Sequence, residues 1–281
     1  MKGSFTILLV IMTIFNSIAQ RIDIHSTTSV RFTAYKPGLD SLRYNSTGFI
    51  FFTGKKYYFI TNDHSVGGIK FVEDYRSRYK RFPSSDSMPT HGRIQFLDFK
   101  YNSRGSNFQF ELFDKNKKPI WISFFENEEN KLTRLDVAAF ELKGFDREKN
   151  FTYVLSDSDF VESLSLSVSD ELFVVGYPAG VPTYFPIWKR GTIASEPNLL
   201  EYGHSWFYID ASTRKGMSGS PVYFRSNYVT ISSGSSVKST LLPTQKTYLV
   251  GIYFAQDYES EVGVVIRFDK ILAKLKLLDN Q

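Results

Sequence analysis

Hydrophobic residues in this chain fall in short runs of roughly four to eight, separated by clusters of Gly, Asn, Asp, Ser and charged residues, which is the pattern of an all-β sandwich or barrel. Runs near 30–34, 48–53, 57–61, 93–99, 107–112, 119–124 and 136–142 predict the strands of a first antiparallel barrel. Runs near 151–154, 171–176, 187–194, 206–210, 221–224, 247–254 and 262–267 predict those of a second. The charged stretch 145–150 lies between the two sets, so residues 20–148 are expected to form the first unit and 149–281 the second. From Asp269 to Leu278 the period changes: apolar residues at 271, 272, 275, 277 and 278 predict a short C-terminal helix.

The first 19 residues follow a different rule. Lys2 precedes an apolar run from Phe5 to Phe15, and Ser17-Ile18-Ala19 has the small-x-small form of a cleavage site. This is the pattern of a secretory signal, with the mature chain starting at Gln20. The run is too short to span a bilayer comfortably and no later segment approaches the roughly 20 apolar residues required, so no stable membrane insertion is expected after cleavage. The expected localisation is exported, secreted or periplasmic.

Composition adds three constraints. The chain of 281 residues has no cysteine, so an exported product must rely on its core rather than on disulfides. Its 26 Phe and 17 Tyr favour strands. The net charge of +5 falls to +4 when Lys2 leaves with the signal, too mild to point to nucleic acid. The segment Tyr75 to Phe82 interleaves cations with aromatics, but eight residues make a weak footprint, and it reads as an exposed loop. No nucleic-acid partner is expected. His25, His91 and His204 have no metal-ligand spacing, so no metal and no cofactor are expected either.

The strongest chemical signal is Gly-Met-Ser-Gly-Ser-Pro at 216–221. A serine hydroxyl is a weak nucleophile unless a base lies within hydrogen-bond reach and N–H donors face the developing oxyanion. Glycines on both sides of Ser218 permit the sharp turn that such a presentation needs, and Pro221 fixes the chain as it leaves. Upstream, residues 47–66 read as a strand, a Gly-Lys-Lys turn and a second strand ending at His64. Asp136 heads the apolar run of 136–142. The neighbouring acid Asp63 is disfavoured as the partner of His64, because adjacent residues of an extended chain point to opposite sides. The order His64, Asp136, Ser218 is that of the chymotrypsin-like barrels.

Together with Phe-Val-Val-Gly-Tyr-Pro at 173–178, Arg-Gly-Thr-Ile at 190–193, Leu-Val-Gly-Ile at 249–252 and Gly-Val-Val-Ile-Arg at 263–267, these pieces resemble the trypsin-like serine proteases in their disulfide-free bacterial form. The resemblance covers about residues 28–270. It implies an endopeptidase with His64, Asp136 and Ser218 as catalytic residues, the N–H groups of Gly216 and Ser218 as oxyanion donors, and a protein or peptide substrate. It also implies a specificity pocket built from Ser212, Thr213, Tyr253, Phe254, Ala255 and Gly263.

The form Gly-x-Ser-Gly-Ser-Pro and the Ser212-Thr213 pair further resemble the glutamyl endopeptidase branch. That branch holds an acidic side chain with a Thr and a pocket His; Thr213 matches the first, whereas Tyr253 stands in place of the second. A neutral phenol does not compensate a buried carboxylate, and Ser212 offers no carboxylate for Lys or Arg. A neutral pocket narrowed by Ala255, for small or medium apolar residues, is expected. Met217 precedes Ser218 where zymogen-activated relatives carry an Asp, so activation through that salt bridge is not available. The alternative from another class is a non-catalytic or latent binding module on the same fold.

Overall fold

The computed structural model describes residues 22–67, 88–98, 103–128, 131–150, 152–161, 164–197, 205–233, 236–256 and 262–280. The signal segment 1–19, the stretch Tyr75 to Phe82 and His204 lie outside them. The architecture is all-β with a short C-terminal helix, as the run pattern predicts. Strands β1 (Ser29–Lys36), β2 (Leu39–Phe52), β3 (Tyr57–Thr61), β4 (His91–Asp98), β5 (Ser103–Glu111), β6 (Ile122–Glu128) and β7 (Lys131–Glu141) form the first sheet, in the order β5-β4-β1-β2-β3-β7-β6. All its neighbours are antiparallel except β8 (Leu155–Ser156), which pairs in parallel with Phe51 and Phe52 of β2. Strands β9 (Glu171–Gly176), β10 (Ile187–Ile193), β11 (Trp206–Asp210), β12 (Pro221–Ser233), β13 (Ser236–Gln256) and β14 (Val262–Arg267) close a barrel in the order β10-β11-β14-β13-β12-β9.

Successive strand side chains point to opposite faces, and here both faces of the central strands are buried. Ile50, Phe59, Ala138 and Phe140 enter a first core with Phe32, Ile94, Phe96 and Trp121. Their neighbours Phe49, Phe51, Tyr58, Ile60, Val137 and Ala139 face the other way, into a core shared with Val175, Tyr223, Leu249 and Ile266 of the barrel. This second core joins the two sheets. Helix α2 (Phe268–Leu278) seals it with Phe268, Ile271, Leu272 and Leu275, the i, i+3, i+4, i+7 stripe of an amphipathic helix. Phe268 packs 4.9 Å from the Phe51 ring and 6.0 Å from that of Phe49. Tyr58 Oη donates to Asp279 at the end of the helix at 2.9 Å.

Three expectations are corrected. The apolar run at 151–154 forms no strand at 152–154; pairing begins only at Leu155. Strand β3 ends at Thr61, and His64 lies instead in a short helix, α1 (Asp63–Gly67). The hairpin of β12 and β13 runs far beyond 221–224 and 247–254, its ladder continuing to Ser233↔Ser236. Its outer residues are largely Ser, Thr and Lys, so the apolar runs that mark buried strands stop while the backbone pairing does not.

Candidate active site

His64 and Asp136 are brought together by a local irregularity. Ser123 of β6 pairs with Ala138 but the next residue, Phe124, pairs with Leu135, so Asp136 and Val137 are extra residues on β7. The pairing of β3 with β7 stops at Thr61↔Ala138, where α1 begins. A bulge beyond the end of the neighbouring strand re-aims its side chain, and here it turns Asp136 onto the first turn of α1. Asp136 Oδ1 accepts from the backbone N–H of His64 at 2.8 Å, and Oδ2 lies 2.5 Å from His64 Nδ1. Asn62, fully buried, donates through Nδ2 to the Asp136 carbonyl at 2.7 Å.

Both carboxylate oxygens are thus committed, and the imidazole is fixed through Nδ1, with no hydrogen bond to Nε2 among the described residues. Burial acts to lower the basicity of His64, but the Asp136 carboxylate, with help from Asp63, outweighs it and holds the imidazole above its ordinary pKa. Asp63 itself turns into the core, because α1 is helical and successive side chains are not on opposite sides of an extended chain. It accepts from Trp121 Nε1 at 2.8 Å and pairs with Arg134 Nε at 2.5 Å. Burial pushes its carboxyl up to about 7 in spite of that guanidinium.

Ser218 sits half-buried in a turn whose backbone is held on every side. The carbonyls of Lys215, Gly216, Met217 and Ser218 accept from Ala179 N, Thr47 Oγ1, Ser220 N and Thr47 N, at 2.7, 2.8, 3.0 and 3.0 Å. The N–H groups of Met217 and Gly219 donate to Arg214 and Tyr253. Those of Gly216 and Ser218 have no acceptor among the described residues. Met217 is fully buried in the apolar core of the barrel, where a charged residue would have needed a partner. No hydrogen bond joins the Ser218 hydroxyl to the imidazole among the described residues.

The two halves meet closely. Gly219 has φ +83°, and a Cβ there would lie 2.2 Å from the Thr47 carbonyl oxygen and 2.5 Å from Thr61 Oγ1. Gly219→Ala is therefore expected to destabilise the protein by at least about 2 kcal/mol, from backbone strain plus a clash with main-chain atoms. Urea unfolding of the variant measures this; an unchanged midpoint would show that the turn can move away from β2.

Of the expected pocket residues, three come together. Thr213 Oγ1 and Tyr253 Oη share a short hydrogen bond, both buried. The Tyr253 ring lies against Gly263, where a Cβ would approach it to 3.0 Å. Ser212 is exposed instead. Phe254 is the extra residue of a bulge between Tyr253↔Val265 and Ala255↔Val264, and its ring lies 6.2 Å from that of His64. Ala255 is placed only through its backbone pairing. His25 packs between Tyr153 and Tyr223, and His91 bonds Thr90 at 2.8 Å. Thr47, which ties the serine turn to β2, was not singled out by sequence reasoning; its place beside Gly48 at the head of an apolar run was the available signal.

A strand-built scaffold that seats an imidazole on a buried carboxylate, and docks a glycine-flanked serine turn against the strand leading to it, defines the class of chymotrypsin-like β proteins. The chain belongs to the trypsin-like peptidase domain family, whose model matches residues 46–230. Among solved structures it is similar to the active form of the Rv3671c protease from M. tuberculosis, at 14% identity over 90% of this chain and 81% of that one, with a TM-score of 0.47. It is also similar to a serine endoprotease from Yersinia pestis, at 13% identity over 91% and 64% of the two chains, with a TM-score of 0.45. Comparison with curated proteins gives no significant match.

Proposed function

We propose that the protein is an exported serine endopeptidase that hydrolyses peptide bonds through His64, Asp136 and Ser218. The observation that carries this reading is the double engagement of Asp136 with the His64 amide and Nδ1, which leaves Nε2 without a partner among the described residues and able to act as the base. Ser218 Oγ attacks the peptide carbonyl carbon and its proton passes to Nε2. Asp136 holds the Nδ1–H tautomer and stabilises the resulting imidazolium. The oxyanion takes hydrogen bonds from the Gly216 and Ser218 N–H groups, each worth about 3 to 4 kcal/mol of transition-state stabilisation. The Lys215 carbonyl is drawn to Ala179, so the Gly216 N–H on the same planar peptide faces the opposite way. Collapse of the tetrahedral adduct breaks the C–N bond, and the amine leaves with the proton from Nε2. Water then repeats the sequence on the acyl-enzyme, releasing the acid and restoring Ser218.

The neutral Thr213 and Tyr253 hydroxyls, with the Tyr253 ring filling space beside Gly263, favour a small or medium apolar residue on the acyl side of the cut bond. Export rests on residues 1–19. No helix among the described residues is long and apolar enough to cross a membrane.

The test is labelling of the mature protein with a fluorophosphonate, followed by profiling on a peptide library. Labelling that disappears in Ser218→Ala and His64→Ala, with cleavage after small or medium apolar residues, is the expected result. A folded wild-type protein that takes no label would instead indicate a binding module on this scaffold. Cleavage mainly after Arg, Lys or Glu would overturn the pocket reading alone.

A further inference from the structure

We propose that Thr47 is a positioning residue for the oxyanion-binding turn, a role that rests on the reading of Ser218 as the nucleophile. Thr47 is fully buried on β2, and each of its polar atoms is used. Its N–H donates to the Ser218 carbonyl at 3.0 Å and its hydroxyl to the Gly216 carbonyl at 2.8 Å. The same hydroxyl accepts from Tyr177 N at 2.9 Å, which fixes its rotamer, and the Thr47 carbonyl accepts from Thr61 Oγ1 at 2.7 Å.

The sheet leaves that edge available. Pairing of β2 with β3 begins only at Phe49↔Ile60, so at Thr47 the strand is free on the side where the serine turn docks. Gly216 has φ +91° and Gly219 φ +83°, conformations that glycine enters easily and leaves easily. A peptide plane in such a turn stays put only if its polar ends are held. Thr47 holds the carbonyls of Gly216 and Ser218, the planes on either side of the Met217–Ser218 peptide that carries one of the two unpaired amides. Through Thr61, at the end of the strand that leads into α1, the same residue is tied to the element bearing His64. One residue, with its hydroxyl on Gly216 and its main chain on Ser218 and Thr61, therefore sets the turn relative to the imidazole in a chain that has no disulfide to do so.

The expected consequence of losing the hydroxyl is a turn that is present but misplaced. Thr47→Val, nearly isosteric, should lower kcat about ten- to a hundredfold with KM changed less than about twofold. Affinity for a peptide aldehyde, which forms a tetrahedral adduct on the serine, should fall by a similar factor, while affinity for the product peptide stays. Thr47→Ser keeps the hydroxyl and should restore most of kcat. If Thr47→Val does not fold, Thr47→Cys supplies the same test at similar volume with a weaker donor. A folded valine or cysteine variant with kcat within twofold of wild type, a rise in KM alone, or a serine variant as impaired as the valine would overturn the role of Thr47. A wild-type protein that neither turns over peptide nor takes the fluorophosphonate would overturn the reading of Ser218 and this role with it.

Discussion

Asp136→Asn is expected to lower kcat about ten-thousand-fold in a protein that still folds. The amide can keep its carbonyl on the His64 N–H, where Asp136 Oδ1 now accepts at 2.8 Å. It then presents an NH2 group to Nδ1, which must become an acceptor. The imidazole proton moves to Nε2, and that nitrogen can no longer take a proton from Ser218. Steady-state and pre-steady-state kinetics against a peptide ester measure the loss; a variant within tenfold of wild type would show that Asp136 does not set the tautomer. Stability carries a second signature. The folded pKa of His64 lies above its unfolded value because of Asp136, so the protonated couple contributes stability below about pH 6.5 that is lost as pH rises through the folded pKa. The Asn variant lacks that contribution, so its deficit in urea unfolding should be larger at pH 6 than at pH 9.

What the sequence made legible follows from which forces write themselves into composition. Of the fourteen strands among the described residues, thirteen are visible as apolar runs, because β2, β3 and β7 bury both faces and the barrel strands bury most of theirs. The last, β8, pairs through only Leu155 and Ser156, too short to leave a period. The residues of the candidate site were legible because side-chain chemistry restricts them. The bulge that aims Asp136 was not, since Leu-Asp-Val-Ala-Ala reads as uninterrupted strand and the register break arises only from the pairing of β6 with β7. Thr47 was hidden for a related reason. Its function lies in main-chain carbonyls it reaches across the molecule, and a carbonyl has no letter in the sequence. The geometry of an extended chain places Asp63 opposite His64, whereas the segment is the short helix α1 and Asp63 is buried against Trp121.

That displacement of Asp63 sets up the second large effect. Arg134→Met, which keeps the length of the side chain and removes its charge, is expected to destabilise the protein by about 2 kcal/mol at pH 8.5, the cost of keeping Asp63 protonated from its folded pKa of about 7 up to that pH. Asp63 is fully buried, and its partners are Arg134 Nε and Trp121 Nε1. Desolvation already lifts its carboxyl to about 7, with Arg134 pulling down and the nearby Asp136 pushing up. An acid whose folded pKa exceeds its unfolded value binds its proton more tightly when folded, so this group costs stability as pH rises from about 4 to about 7 and no more beyond. Without the guanidinium the folded pKa rises further, and the cost continues to grow where the wild type has levelled off. The deficit of Arg134→Met should therefore be small at pH 5.5, where Asp63 is protonated in both proteins, and full at pH 8.5. Adding Asp63→Asn removes the stranded charge, and the double variant should be more stable at pH 8.5 than Arg134→Met alone. It should also shift the acid limb of the activity profile to lower pH, because the ionised Asp63 helps to hold the His64 proton. Urea unfolding of the three variants at both pH values decides the matter. A deficit independent of pH, or a double variant no better than the single, would mean that Arg134 contributes packing and its bond to Ser123 rather than charge compensation.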